Sequence, residues 1–96
     1  MILVFSGGVD SSSLNTKLAK IGEKYLEGRH VKSEMIGLSQ YDIPLLMPGK
    51  QEKPCEAVKE IREKIQRASG IFITTPEYNG NVPPALLNML DSVFNF

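Results

Sequence analysis

Met1-Ile2-Leu3-Val4-Phe5-Ser6-Gly7-Gly8-Val9-Asp10-Ser11-Ser12-Ser13 opens the chain, and this stretch decides the fold. Five apolar residues without alternation suit a strand buried on both faces of a sheet. Ser6-Gly7-Gly8 ends it, and the polar stretch Asp10 to Ser13 supplies capping groups for a helix. Leu14, Leu18, Ile21 and Tyr25 then recur at spacings of four, three and four, one apolar stripe on a helix that runs to Gly28. A buried strand, a glycine turn and an amphipathic helix make the first half of a parallel β–α–β unit.

The rest of the chain repeats this alternation. His30 to Leu38 reads as a weaker strand, polar enough for a sheet edge. Ser39 to Lys53 contains Pro44, Pro48 and Gly49 and reads as a long loop. Pro54 suits the first turn of a second helix, whose stripe is Val58, Ile61, Ile65 and Ala68. Gly70 to Thr75 is a second apolar strand, closed by Pro76, and Pro83-Pro84 open a third helix from Ala85 to about Phe94. Strand and helix alternate three times, which predicts a parallel α/β sheet with right-handed crossovers. Ligands in such sheets sit beyond the carboxyl ends of the strands. The loops Ser6–Ser13 and Thr75–Pro83 leave those ends and are the candidate site.

The first loop suits an anion. Its glycines allow close backbone approach, and the helix start offers unpaired amides and the positive end of a dipole. Helix capping and a chain turn also account for its serines and glycines. Ser6-Gly7-Gly8-Val9-Asp10-Ser11 resembles the S-G-G-x-D-S signature of the PP-loop ATP pyrophosphatases, which implies ATP binding through Ser6–Ser11. The same loop resembles the G-S-x-R-x-x-S-x-N loop of the NAD(P)H-dependent FMN reductases, with Gly7, Ser13 and Asn15 matching. Gly8 and Asp10 depart from that pattern. Where that family has an arginine on the flavin phosphate, Asp10 is repulsive toward an anion.

The second loop separates the two. Thr75-Pro76-Glu77-Tyr78-Asn79-Gly80-Asn81-Val82-Pro83-Pro84-Ala85-Leu86-Leu87-Asn88-Met89-Leu90-Asp91 resembles the FMN reductase run T-P-E-Y-N-x-x-x-P-x-x-L-K-N-x-x-D, with Leu87 in place of lysine. Leu38–Leu45 and Ala68–Ile71 are similar to the same family. The resemblance implies a flavodoxin-like three-layer sandwich and an enzyme that uses FMN, with NAD(P)H as co-substrate. Hydride would pass to the flavin and then to a small-molecule acceptor such as a quinone, azo dye or free flavin. It also implies roles. Ser11, Ser13, Leu14 and Asn15 would serve the FMN phosphate, and Pro76, Glu77, Tyr78 and Asn79 would border the isoalloxazine. Hydride transfer to flavin needs no acid or base, so no catalytic side chain is assigned.

The family has five strands in the order 2-1-3-4-5. Only the first three strand–helix units are expected here, so 1–96 reads as the amino-terminal part of a longer single domain, its third strand left as an apolar edge. A third possibility is a shortened, cofactor-free interaction module, for which Asp10 speaks. Leu86, Leu87, Met89, Leu90, Val93 and Phe94 cover more than one side of the last helix, and the resemblance implies a homo-oligomer through helix 84–94.

Eleven basic and eleven acidic side chains in 96 residues cancel, which gives no electrostatic footprint for nucleic acid. The longest uninterrupted apolar run, Met1–Phe5, is too short to cross a bilayer, so no membrane partner and a cytoplasmic location are expected. A single cysteine, Cys55, permits no internal disulfide. His30 reads as a surface residue, Cys55 as a passive one, and no metal site is expected.

Overall fold

The computed structural model describes residues 1–8, 10, 12–47, 49, 50 and 53–95. Three strands, β1 (Ile2–Ser6), β2 (Ser33–Gly37) and β3 (Gly70–Thr74), alternate with α1 (Leu14–Gly28), α2 (Glu56–Arg67) and α3 (Pro84–Asn95). The sheet is parallel throughout, in the order β2-β1-β3. Val4 lies level with Met35 on one side and with Phe72 on the other. This is the parallel α/β arrangement that the alternation predicts and the flavodoxin-like strand order that the resemblance implies, with β1 central.

Alternation along the strands places the helices. Leu3 and Phe5 of β1 and Ile36 of β2 pack with Val58 and Ile61 of α2 and with Leu86, Met89 and Val93 of α3. The intervening residues point to the opposite face, where Ser6 meets Thr16, and Thr74 meets Asn15, both of α1. Two helices therefore cover one face and α1 alone covers the other. The main core lies on the two-helix side; a Leu3→Ala or Ile61→Ala change there would cost about 2–5 kcal/mol.

Sequence pattern and structure part company in three places. The apolar stripe of α1 is exposed; the helix turns Thr16 and Ala19 to the sheet instead. Small side chains let α1 sit close, and its nearness is visible at Gly22, where an added Cβ would lie 2.9 Å from the Phe72 ring. β3 is not buried on both faces: Ile71, Phe72 and Ile73 are all part-exposed, because β3 is the last strand of the sheet. Finally, His30 belongs to a turn and not to β2. Gly28 is the last residue of α1, and His30 takes the left-handed position after it, at φ 59°. Cys55 is the residue before α2 and makes no side-chain cap; Glu56 in the first turn and Lys64 and Arg67 in the last complement the helix dipole.

Candidate functional site

Both loops leave the same end of the sheet, because β1 and β3 are parallel neighbours. They touch. Gly7 N donates to Thr74 O at 2.6 Å, and Thr74 Oγ1 donates to the Asn15 carbonyl at 2.7 Å. Glycine is required at position 7, since a Cβ there would stand 2.8 Å from Thr74 O and 3.1 Å from both Thr75 Cα and Leu86 Cδ2.

The first loop is organised around hydroxyls. Ser13 caps α1, its Oγ accepting from Thr16 N at 3.1 Å. Thr16 Oγ1 lies 3.0 Å from both Ser6 Oγ and Ser13 Oγ and donates to Asp10 O at 3.1 Å. Gly8 N donates to Ser6 Oγ at 3.2 Å. Ser6 and Thr16 are buried, so this network is shielded from water. The sequence reading named Ser6 only as part of the alternative ATP loop Ser6–Ser11 and missed Thr16. Their mark was the inward position of Ser6 at the end of β1 and a hydroxyl three residues after the cap.

Asp10 is committed within the loop. Its Oδ1 accepts from Ser12 N at 3.0 Å and its Oδ2 from Ser12 Oγ at 2.8 Å. These two bonds, the amide first, hold its carboxyl below the usual carboxylate range. The carboxylate therefore takes a backbone donor and a hydroxyl that an incoming anion would otherwise use. What the loop leaves open is the first turn of α1, where the amides of Leu14 and Asn15 have no carbonyl behind them in the helix.

The second loop is a miniature hairpin. Tyr78 and Asn81 exchange two backbone bonds, Tyr78 N to Asn81 O at 2.8 Å and Asn81 N to Tyr78 O at 3.1 Å. Asn79 (φ 53°) and Gly80 (φ 78°) form the tip, the positive pair that a type I′ turn needs. Thr75 Oγ1 donates to the Pro76 carbonyl and Asn81 Oδ1 accepts from Val82 N, so both flanks are held. Tyr78 is exposed on this rigid support. Asn88 of α3 pins the long loop beside it, accepting from Leu46 N and donating to the Pro44 carbonyl.

Of the residues proposed from sequence, Ser13, Leu14 and Asn15 stand at the start of α1 and Pro76, Glu77, Tyr78 and Asn79 in the adjoining loop. Ser11 lies outside the described residues. The structure brings the two groups to one end of the sheet. The Leu14 side chain points to solvent, leaving its amide as the useful group. A crevice of about 220 Å³ opens beside the first loop, lined by Ser6, Gly8, Asp10 and Thr16 with Lys20 and Gln40. It lies on the β2 side and takes no residue from the second loop. A larger hollow, between α1 and the turn into β2, takes none from either loop. Among the described residues, no three His, Cys, Asp or Glu side chains group to hold a metal ion, and no helix is long and apolar enough to cross a membrane.

Comparison with known proteins agrees with this geometry. The family model described as NADPH-dependent FMN reductase matches residues 1–95. A quinone reductase of Pseudomonas putida is 34% identical over 92 residues, which make up 94% of this chain and 47% of that protein. An NADPH azoreductase of Bacillus sp. (strain OY1-2) is 29% identical over 72 residues, 75% of this chain and 40% of that protein. Among solved structures, the flavoenzyme NAD(P)H:(acceptor) oxidoreductase FerB of Paracoccus denitrificans superposes with a TM-score of 0.79 at 27% identity, covering 95% of this chain and 48% of that one. The chain thus spans about half the length of the relatives it matches.

Proposed function

The chain belongs to the NADPH-dependent FMN reductase family, and from that premise we propose that it is the flavin-holding part of an NAD(P)H-dependent oxidoreductase. The observation that carries this reading is that two loops start side by side at the carboxyl end of a parallel sheet, with Gly7 of the first bonded to Thr74 at the end of β3 and close against Thr75 of the second. FMN supplies the redox chemistry when bound, accepting hydride from a nicotinamide and passing it on. The residues present fit it in part. The glycine turn and the first-turn amides of Leu14 and Asn15 would serve the phosphate, and the family resemblance assigns Ser11 and Ser13 to it as well. Pro76, Glu77, Tyr78 and Asn79 offer a stiff backbone edge and an aromatic surface to the ring system. Asp10 opposes the phosphate and weakens its hold. The acceptor is a small molecule of the quinone or azo class, by analogy with the relatives. A cytoplasmic location and a dimer contact through helix 84–94 belong to the same proposal; Leu87 and Phe94 project from that helix.

Equilibrium dialysis tests it. Retention of FMN, with flavin absorbance near about 450 nm travelling with the protein, is the expected result. Retention of magnesium-ATP without FMN would replace it with the pyrophosphatase reading that Ser6–Ser11 supports. Retention of neither would leave a cofactor-free module.

A further inference from the structure

The first loop has no cation of its own. From Ser6 to Thr16 the sequence holds no lysine or arginine, and its one charged side chain is Asp10. A phosphate on the amides of Leu14 and Asn15 would have a carboxylate for a neighbour and no balancing charge from the loop itself. The first two cations beyond it are Lys17 and Lys20, both on α1. An α-helix turns about 100° per residue. Ala19 is buried on the sheet, so Lys17 stands about 160° away from it, on the solvent side. Lys20 lies only about 40° from Thr16. Thr16 is buried, and its hydroxyl donates to Asp10 O at 3.1 Å.

Lys20 follows Thr16 by one turn, and helical side chains lean toward the helix start, over the residue one turn before. The stem of Lys20 is thereby directed along Thr16 to the loop. Lys20 duly borders the crevice of about 220 Å³ together with Ser6, Gly8, Asp10 and Thr16. Of the described residues that line this crevice, Lys20 alone is a cation and Asp10 alone an anion. At about 30 Å³ per water the space holds about seven waters, so charges on its walls act over a short distance. Lys20 also borders the larger hollow with Glu23 and Glu27. Among the described residues it forms an ion pair with neither. Lys24, one turn further on and in that same hollow, repels it.

We infer that Lys20 is the phosphate-binding cation of this site. Its ligand is a phosphate monoester dianion, that of the bound flavin, and it offsets Asp10 from the opposite wall of the crevice. The inference rests on the FMN reading above and adds to it a residue from the body of α1, beyond the loop. It also accounts for the pairing of charges in the crevice: the carboxylate orders Ser12 within the loop, and the ammonium restores the attraction for an anion that the carboxylate removes.

Fluorescence titration at low salt tests it, with FMN and with riboflavin, which lacks the phosphate. Lys20 is exposed, so Lys20→Met, which keeps an apolar stem and removes the charge, should leave the circular dichroism intact. It should weaken FMN about 3- to 10-fold, leave riboflavin unchanged, and lose most of its effect in about 1 M salt. Lys20→Arg should bind FMN as the parent chain does, and so should Lys24→Met. With Asp10→Asn and Lys20→Met combined, both charges go together and FMN affinity should return near its starting value. If the chain binds FMN and Lys20→Met leaves that binding unchanged, or shifts riboflavin equally, the inference fails while the FMN reading stands. If the chain binds no FMN, that reading fails, and inorganic phosphate decides the inference. The NMR amide shifts of Gly8 and Asn15 should then titrate with phosphate, and about 3- to 10-fold more weakly in Lys20→Met. Absence of those shifts, or an equal response in Lys20→Met, would overturn the inference.

Discussion

Gly7→Ala puts the meeting of the two loops to a quantitative test. The new Cβ would sit 2.8 Å from Thr74 O and 3.1 Å from Thr75 Cα. Both are backbone atoms at the end of a strand held to β1 residue by residue, so neither swings aside as a flexible side chain would. Relief requires the loops to part by several tenths of an ångström. That stretches the 2.6 Å bond from Gly7 N to Thr74 O, a loss of about 1 kcal/mol, on top of about 1–3 kcal/mol for overpacking. Lower entropy of the unfolded alanine chain returns about 0.4–1 kcal/mol. The net is a destabilisation of about 1–3 kcal/mol, which lowers the melting temperature by roughly 4–20 °C for a domain of this size. Gly28→Ala is the internal control: it is helical with nothing within 4 Å of its Cβ, so it should stabilise by about 0.5–1 kcal/mol. Urea titration followed by circular dichroism measures both. FMN retention should fall with Gly7→Ala and hold with Gly28→Ala. If Gly7→Ala unfolds with Gly28→Ala at the same urea concentration, the two loops do not meet as described.

Asp10→Asn keeps the shape of the loop and removes its charge. FMN should then bind about 3- to 10-fold tighter at low salt and riboflavin, without a phosphate, unchanged; fluorescence titration of both flavins checks this, and equal shifts would clear Asp10 of electrostatic interference. The depressed Asp10 pKa gives a sign: the carboxylate's ordering of Ser12 is complete above the ordinary aspartate value and fades as pH falls through the lowered one. The Ser12 amide shift in an NMR titration should follow that course, and it should be flat in Asp10→Asn. Thr16→Val removes the hydroxyl shared by Ser6, Ser13 and Asp10 without changing the volume, at a cost of about 1–3 kcal/mol by urea unfolding, and Thr16→Ser should restore most of it. Lys64 spans α2 and β2 through Glu34 at 2.8 Å, with Tyr41 nearby. Lys64→Met should cost up to about 1 kcal/mol near neutral pH. Glu34, the largest cause, raises the Lys64 pKa, so this contribution is complete below the unfolded lysine value and disappears only in stronger alkali, where thermal melts of the two proteins should converge.

Much of the fold was legible in local pattern. Met1–Phe5 and Gly70–Thr75 are apolar without alternation, and glycine and proline end them, so strand and boundary follow from propensity alone. The parallel order follows from the intervening helices, because parallel strands need long crossovers. Asn79-Gly80 announces a turn through the positive φ that both residues accept. The candidate residues of both loops could be named because the two loops resemble motifs of the FMN reductase family. Sequence alone could not say which face of α1 meets the sheet. Its apolar stripe satisfied helical periodicity, yet a stripe does not say what it packs against. Thr16, Ala19 and Gly22 won the sheet because small side chains let helix and strand approach. The hydroxyl network of Ser6, Thr16 and Ser13 and the capture of Ser12 by Asp10 are likewise matters of distance, decided only when β1, β3 and α1 come together. Composition and period determine which segments become strands and helices, since those preferences are local. The tertiary structure decides which surfaces are covered and which groups share a hydrogen bond, since those depend on residues far apart in the chain.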